Sequence, residues 1–140
     1  MPLWQIYHPA DTYSEQDKQD FALDITELYT SVGLPAFYVV VLFHALAESD
    51  VYVGGKPASD TVRIVVDHLA RHLEDPEMRT RSTDALDSIM LPYTRDRGLH
   101  WEFHTNESPR DLWKTAGQFP PPAGSEAEKA WARANAPIPY

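Results

Sequence analysis

The second residue of this chain is proline, directly after the initiator Met. Methionine aminopeptidases usually remove Met before so small a residue, which leaves a free prolyl amine. An α-amino group has an ordinary pKa of about 8, against about 10.4 for a Lys ammonium. A secondary prolyl amine is intrinsically somewhat more basic, and partial burial or a nearby cation lowers it. Such an amine serves as general base, general acid or imine-forming nucleophile near neutral pH. Many proteins begin Met-Pro without consequence. Here the position carries the argument, because Pro2 leads straight into LWQIY at residues 3–7, an aromatic and apolar stretch that predicts a strand.

Other residues offer supporting chemistry. Arg71 presents a guanidinium fork suited to a carboxylate, or else is an exposed residue at a strand-to-helix junction. Beside it, His72 is either a donor to an acid or a solvated loop histidine. His68 and His72, and His100 and His104, have i,i+4 spacing. That spacing converges on a metal from a helix, whereas these pairs fall on strands or junctions, so no metal site is expected. Neither a phosphate-binding Gly loop nor a Ser-centred hydrolase motif is found, and no cofactor is implied.

These residues must be positioned by the elements around them. Ser14 with Asp17 forms a capping-box pattern that opens a helix, and Phe21, Ile25, Leu28 and Val32 recur on one helical face. Gly33 and Pro35 stop it. FYVVVLF at 37–43 reads as a strand buried on both faces. Strand, helix and strand make a β-α-β unit over 1–44, with a right-handed crossover expected. The grammar repeats over 61–104: TVRIVV at 61–66, a helix begun by Asp75 and Pro76 with Met78, Ala85, Leu86, Ile89 and Met90 inward, then LHWEF at 99–103. VYVGG at 51–55 resembles an edge strand ending in a turn.

Two such units predict an α+β fold, one sheet with both helices on one face. The other face then needs cover by association. The remainder, 105–140, reads as a Pro-rich C-terminal arm. Ser108, Pro109 and Asp111 cap a short helix ended by Gly117, PPP at 120–122 is a rigid link, and Ser125 with Glu128 forms a capping box for one more helix. All 140 residues are read as one domain.

Composition narrows the partners. With 12 Lys+Arg against 21 Asp+Glu, the net charge of -9 argues against nucleic acid. The four Trp are then better explained by packing than by base stacking. There is no Cys, which removes disulfides and thiolate chemistry. No stretch approaches the roughly 18–20 apolar residues of a membrane span, and no basic segment precedes an apolar run at the amino terminus. A cytoplasmic protein is expected.

Pro after Met, then a strand, a helix ending in DITELYTSVGLP, a buried strand, a VGG turn, a second β-α-β and W-E-F with a later GQFPPP together resemble the tautomerase superfamily. Within it the resemblance is to the cis-3-chloroacrylic acid dehalogenase-like subgroup, over nearly the whole chain. The resemblance implies a homotrimer with a site around the Pro2 amine. It implies a small acidic carbonyl or unsaturated-acid substrate: an enol, a 2-oxo acid or an unsaturated acid. The subgroup's first-helix His falls at Tyr29, which is read as catalytic with Pro2 and Arg71. Its last-strand Tyr falls at Phe103 and its acidic residue near Thr115; with His72, these are read as substrate-binding. Its paired Arg fall at Leu69 and His72, and a short shift brings in Arg71. Most of the water-activating set is thus replaced. The expected activity is proton transfer by an amino-terminal proline, with hydration or decarboxylation as related chemistry. The alternative is a decayed scaffold serving as a binding or assembly protein.

Overall fold

In the computed structural model, which describes residues 1–140, strand β1 (Pro2–Pro9) alternates between buried and half-buried positions. Pro2, Trp4, Ile6 and His8 are the buried ones, since side chains two apart share a sheet face. Helix α1 (Glu15–Ser31) follows, and its capping box is complete. Ser14 Oγ accepts from Asp17 N–H at 3.1 Å, and the Asp17 carboxylate accepts from Ser14 N–H at 2.9 Å. Phe21, Ile25 and Tyr29 face the core. Val32, expected on that face, lies past the last helical residue and is 68% exposed.

The stretch 37–43 is corrected by the structure. Strand β2 runs from Val40 to Leu46 at the edge of the sheet, and neither of its faces is fully buried within one chain. Phe37 and Tyr38 belong to a 3-10 turn at Ala36–Tyr38. There Tyr38 packs edge-on to Trp113, with ring centroids 4.9 Å apart. A continuous apolar run does not reveal where an aromatic pair leaves the ladder to meet a distant part of the chain.

A two-residue hairpin, β3 (Tyr52–Val53) and β4 (Lys56–Pro57), turns at Gly54 and Gly55, whose φ values of 58° and 79° suit glycine. The second unit comprises β5 (Thr61–Leu69), α2 (Pro76–Met90, capped by Asp75) and β6 (His100–Ser108). The strand order is β2-β1-β5-β6. Each β-α-β pair is parallel, and the two units join through the antiparallel β1/β5 ladder. Trp4, Ile6, Val62, Ile64 and Val66 meet Phe21 and Ile25 of α1 and Leu86 and Met90 of α2 in one core. Both helices therefore cover the same sheet face, while Met78 stays exposed.

The opposite face is mixed. Val40 and Leu42 are exposed there, Tyr7 stacks on His44 at 4.6 Å, Arg63 hydrogen-bonds His104 at 2.6 Å, and Asn106 donates to Asp67 at 2.9 Å.

After β6 the expected short helix up to Gly117 is only a 3-10 turn at Arg110–Leu112, followed by an isolated Thr115–Gln118 bridge. Helix α3 (Glu126–Ala134) starts at Ser125, whose hydroxyl accepts from Glu128 N–H at 3.2 Å. The Glu128 carboxylate does not close the box; it turns to Arg71 and to Gly124 N–H. Trp131 of α3 is completely buried, and Asn135 accepts from Phe37 N–H at 2.8 Å.

Candidate active site

A cavity of about 530 Å³ opens where β1 begins, β5 ends, α1 ends and α2 begins. Pro2, Tyr29, His68 and Arg71 line it, with Met1 at its edge, and most of its remaining wall is aliphatic. The register explains the grouping. Pro2 lies opposite His68 in the β1/β5 ladder, and His68 continues the helix-facing series Val62, Ile64, Val66. From the helix above, Tyr29 reaches down to it.

Tyr29 is fixed from both sides. Trp4 Nε1–H donates to its hydroxyl at 3.1 Å, and the hydroxyl lies 2.7 Å from His68 Nε2. Burial pushes the Tyr29 pKa far above that of an ordinary phenol, only partly offset by the Trp4 hydrogen bond, so the hydroxyl keeps its proton. Burial also lowers the His68 pKa, aided by the nearby amino terminus and opposed by Glu107 and Asp67. His68 is therefore a neutral imidazole near pH 7.

In this structure Met1 is present and the Pro2 nitrogen is an amide. The Met1 amine donates to Leu69 O at 2.6 Å, and Leu69 N–H donates to Met1 O at 2.8 Å. Burial first, then the Arg71 charge, presses that amine from 8.0 down to about 5, with Glu128 opposing. The Met1 amine is thus neutral near pH 7.

Arg71 uses one nitrogen, Nη2, to reach both Glu128 oxygens at 3.1 Å. Its Nε and Nη1 make no hydrogen bond within the chain, so one edge of the fork is available to a ligand carboxylate. Glu128 is 5% exposed and also accepts from Gly124 N–H at 2.7 Å. Between His68 and Arg71, Ala70 adopts φ 70°, a left-handed conformation unusual for a residue with a Cβ. It swings the chain out of β5 toward α3.

The structure brings together Pro2, Tyr29 and Arg71. Phe103 lies outside this cavity but lines a neighbouring one of about 230 Å³, whose wall also includes His68. His72 lies outside as well, half exposed, with Nδ1 3.9 Å from Glu107. Thr115, in its bridge with Gln118, lines neither cavity. His68 and His72 diverge, one to Tyr29 and the other to Glu107. His68 is the site residue that sequence reasoning missed, having weighed it only as half of a metal pair. Its signal was the alternation of β5, which carries the inward series 62, 64, 66 on to 68.

The profile of a family described as "Putative oxalocrotonate tautomerase enzyme" matches residues 1–136. No curated protein matches the chain. Among solved structures, RhCC from Rhodococcus jostii RHA1 is 42% identical with a TM-score of 0.96, covering 99% of each chain. A "probable enzyme" from the thermophilic fungus Aspergillus fumigatus is 38% identical with a TM-score of 0.94, over 100% of this chain and 98% of that one. A protein called N1, of the cis-3-chloroacrylic acid dehalogenase family, is 19% identical with a TM-score of 0.75, over 95% and 97%. At that identity the likeness is one of fold.

Proposed function

The chain belongs to the tautomerase superfamily, and from that premise we propose that it is an amino-terminal-proline tautomerase acting on a small enol, 2-oxo acid or unsaturated acid. The observation that carries this reading is the place of Pro2. It lies in the wall of a cavity shared with Tyr29, His68 and Arg71, where the adjacent Met1 amine is depressed to about 5. Removal of Met1 frees the prolyl nitrogen in those surroundings, where burial and a nearby cation favour the neutral, proton-accepting form.

Pro2 takes a proton from the carbon or hydroxyl of the substrate and returns it at the other end of the three-atom keto–enol unit. The unengaged edge of Arg71 holds the substrate carboxylate while Glu128 holds Arg71. The aliphatic wall excludes water, which strengthens both interactions. Related hydration or decarboxylation would use the same amine and anchor.

We further propose that the chain assembles as a homotrimer with its mixed sheet face turned inward. Exposed Val40 and Leu42 support burial of that face.

The test begins with the intact mass of protein from its native host, where loss of Met1 is expected. It continues with turnover of phenylenolpyruvate by the native protein and by Pro2→Ala, made with Met1 removed. A strong loss in Pro2→Ala with unchanged folding is expected. Native protein that retains Met1 would overturn the reading. A decayed scaffold is the second reading, favoured by the Arg71–Glu128 pair, which already engages one edge of the Arg71 guanidinium. No Pro2-dependent activity on a broad panel of enols and unsaturated acids would decide for it.

A further inference from the structure

The proposed role of Pro2 leaves one group of the cavity without a task. His68 is half-buried against Tyr29, sits beside Pro2 across the ladder and lines both this cavity and its neighbour. Moving a proton onto Pro2 is half of a keto–enol step; the other half is charge growing on the substrate's oxygen, which needs a fixed donor. Arg71 is committed on one side to Glu128 and is needed for the carboxylate. Tyr29 cannot supply that donor, because its hydroxyl is already placed between Trp4 and His68.

We propose that His68 is a further catalytic residue, whose Nδ1–H donates to the enolic oxygen of the substrate, and that Tyr29 and Trp4 are positioning residues that fix its tautomer. The chain of donors runs one way. Trp4 Nε1–H has only a proton to give, so it donates to Tyr29 Oη; His68 Nε2 is the other polar atom bonded to that hydroxyl, and we assign it the phenolic proton. Accepting at Nε2 places the ring proton on Nδ1, which makes no hydrogen bond within the chain. The low basicity that burial gives His68 agrees with an imidazole that donates while neutral.

This role rests on the reading of Pro2 as the working amine. In the keto-to-enol direction the substrate C–H bond breaks and its proton passes to the Pro2 nitrogen. The freed pair forms C=C, and the carbonyl pair moves onto oxygen, where His68 Nδ1–H meets it. Prolinium then gives the same proton to that oxygen. The amine and the imidazole both return to their starting state.

The test combines two measurements on Met1-processed protein. Histidine ¹⁵N NMR should show His68 as the Nδ1–H tautomer in the native chain, with exchange between tautomers in Tyr29→Phe. Turnover of phenylenolpyruvate should fall in kcat by about 10²–10³-fold in His68→Phe, with little change in KM, as when one oxyanion donor is removed. His68→Asn, whose amide keeps a donor close to the Nδ1 position, should recover part of that loss, and near-UV circular dichroism reports whether either variant folds. An Nε2–H tautomer overturns the proposal whatever the kinetics. So does native kcat in a folded His68→Phe; if Pro2→Ala is then inactive, Pro2 stands and only the role of His68 falls. Native rates in both variants remove both readings together.

Discussion

At the scale of single residues, the site sets groups held neutral by burial, Tyr29, His68 and the Met1 amine, beside one paired cation, Arg71. Pro2→Ala replaces a ring amine by a primary one of different basicity and geometry. A loss of activity on the order of 10²-fold or more is expected in a steady-state assay, with an unchanged melting curve. The Met1 amine gives a second prediction. Its folded pKa of about 5 lies below the ordinary 8.0. Between those values the unfolded chain binds a proton that the folded chain does not, so the stability of Met1-retaining protein rises with pH across that window. Urea melts at pH 5.5 and pH 8 should show the gain. The third prediction concerns what the residues cannot do. Hydrolytic dehalogenation needs a water polarised and aimed at an unsaturated carbon. Phe103 has no hydrogen-bonding group, and Thr115, outside the cavity, has no group that is basic near neutral pH. Little chloride release from either 3-chloroacrylate isomer is therefore expected beside measurable enol–keto conversion. Efficient release in the same preparation would show that other residues activate the water.

At the scale of elements, caps and registers set the geometry. Ser14→Ala removes one half of the α1 capping box and should cost about 1 kcal/mol by denaturant titration. α1 carries Tyr29 at its far end, so fraying at its start should leave the Tyr29–His68 contact intact. The caps at Ser14 and Asp75 were legible in the sequence because they are local chemistry: a short oxygen side chain before a periodic segment. The strands were legible in kind and less so in extent. β2 slid three residues along, because Phe37 and Tyr38 are drawn toward Trp131 and Trp113, far away in the chain. Pro2, Tyr29 and Arg71 were singled out as a group, but no spacing rule announces that His68 sits opposite Pro2. That pairing is fixed by the antiparallel register of β1 and β5, which lie some sixty residues apart. The Arg71–Glu128 pair was likewise out of reach, since it joins the end of β5 to α3.

At the scale of the whole molecule, two β-α-β units cover only one side of a four-stranded sheet. The uncovered side carries exposed Val40 and Leu42 together with ordered polar pairs, Arg63 with His104 and Asp67 with Asn106. Apolar area at such a face favours association, and fixed polar pairs give it register. Multi-angle light scattering should find a particle of three times the 15.9 kDa chain mass. Leu42→Glu should shift it toward smaller species. A stable native monomer at micromolar concentration would overturn the assembly. No helix is long and apolar enough to cross a membrane.

The doubled backbone pairing of Met1 with Leu69 sets an order of events in time. Once β5 has docked on β1, the first amine is hydrogen-bonded to Leu69 O and packed against the chain, so an exopeptidase must open the ladder before it can cut. During synthesis, Leu69 is made nearly seventy residues after Met1, and until then the amino terminus hangs free. On the proposed reading, trimming therefore belongs to the period on the ribosome. The same clock bears on production of the protein: any residue left ahead of Pro2 keeps its nitrogen an amide and, on the proposed reading, leaves a well-folded but chemically silent preparation.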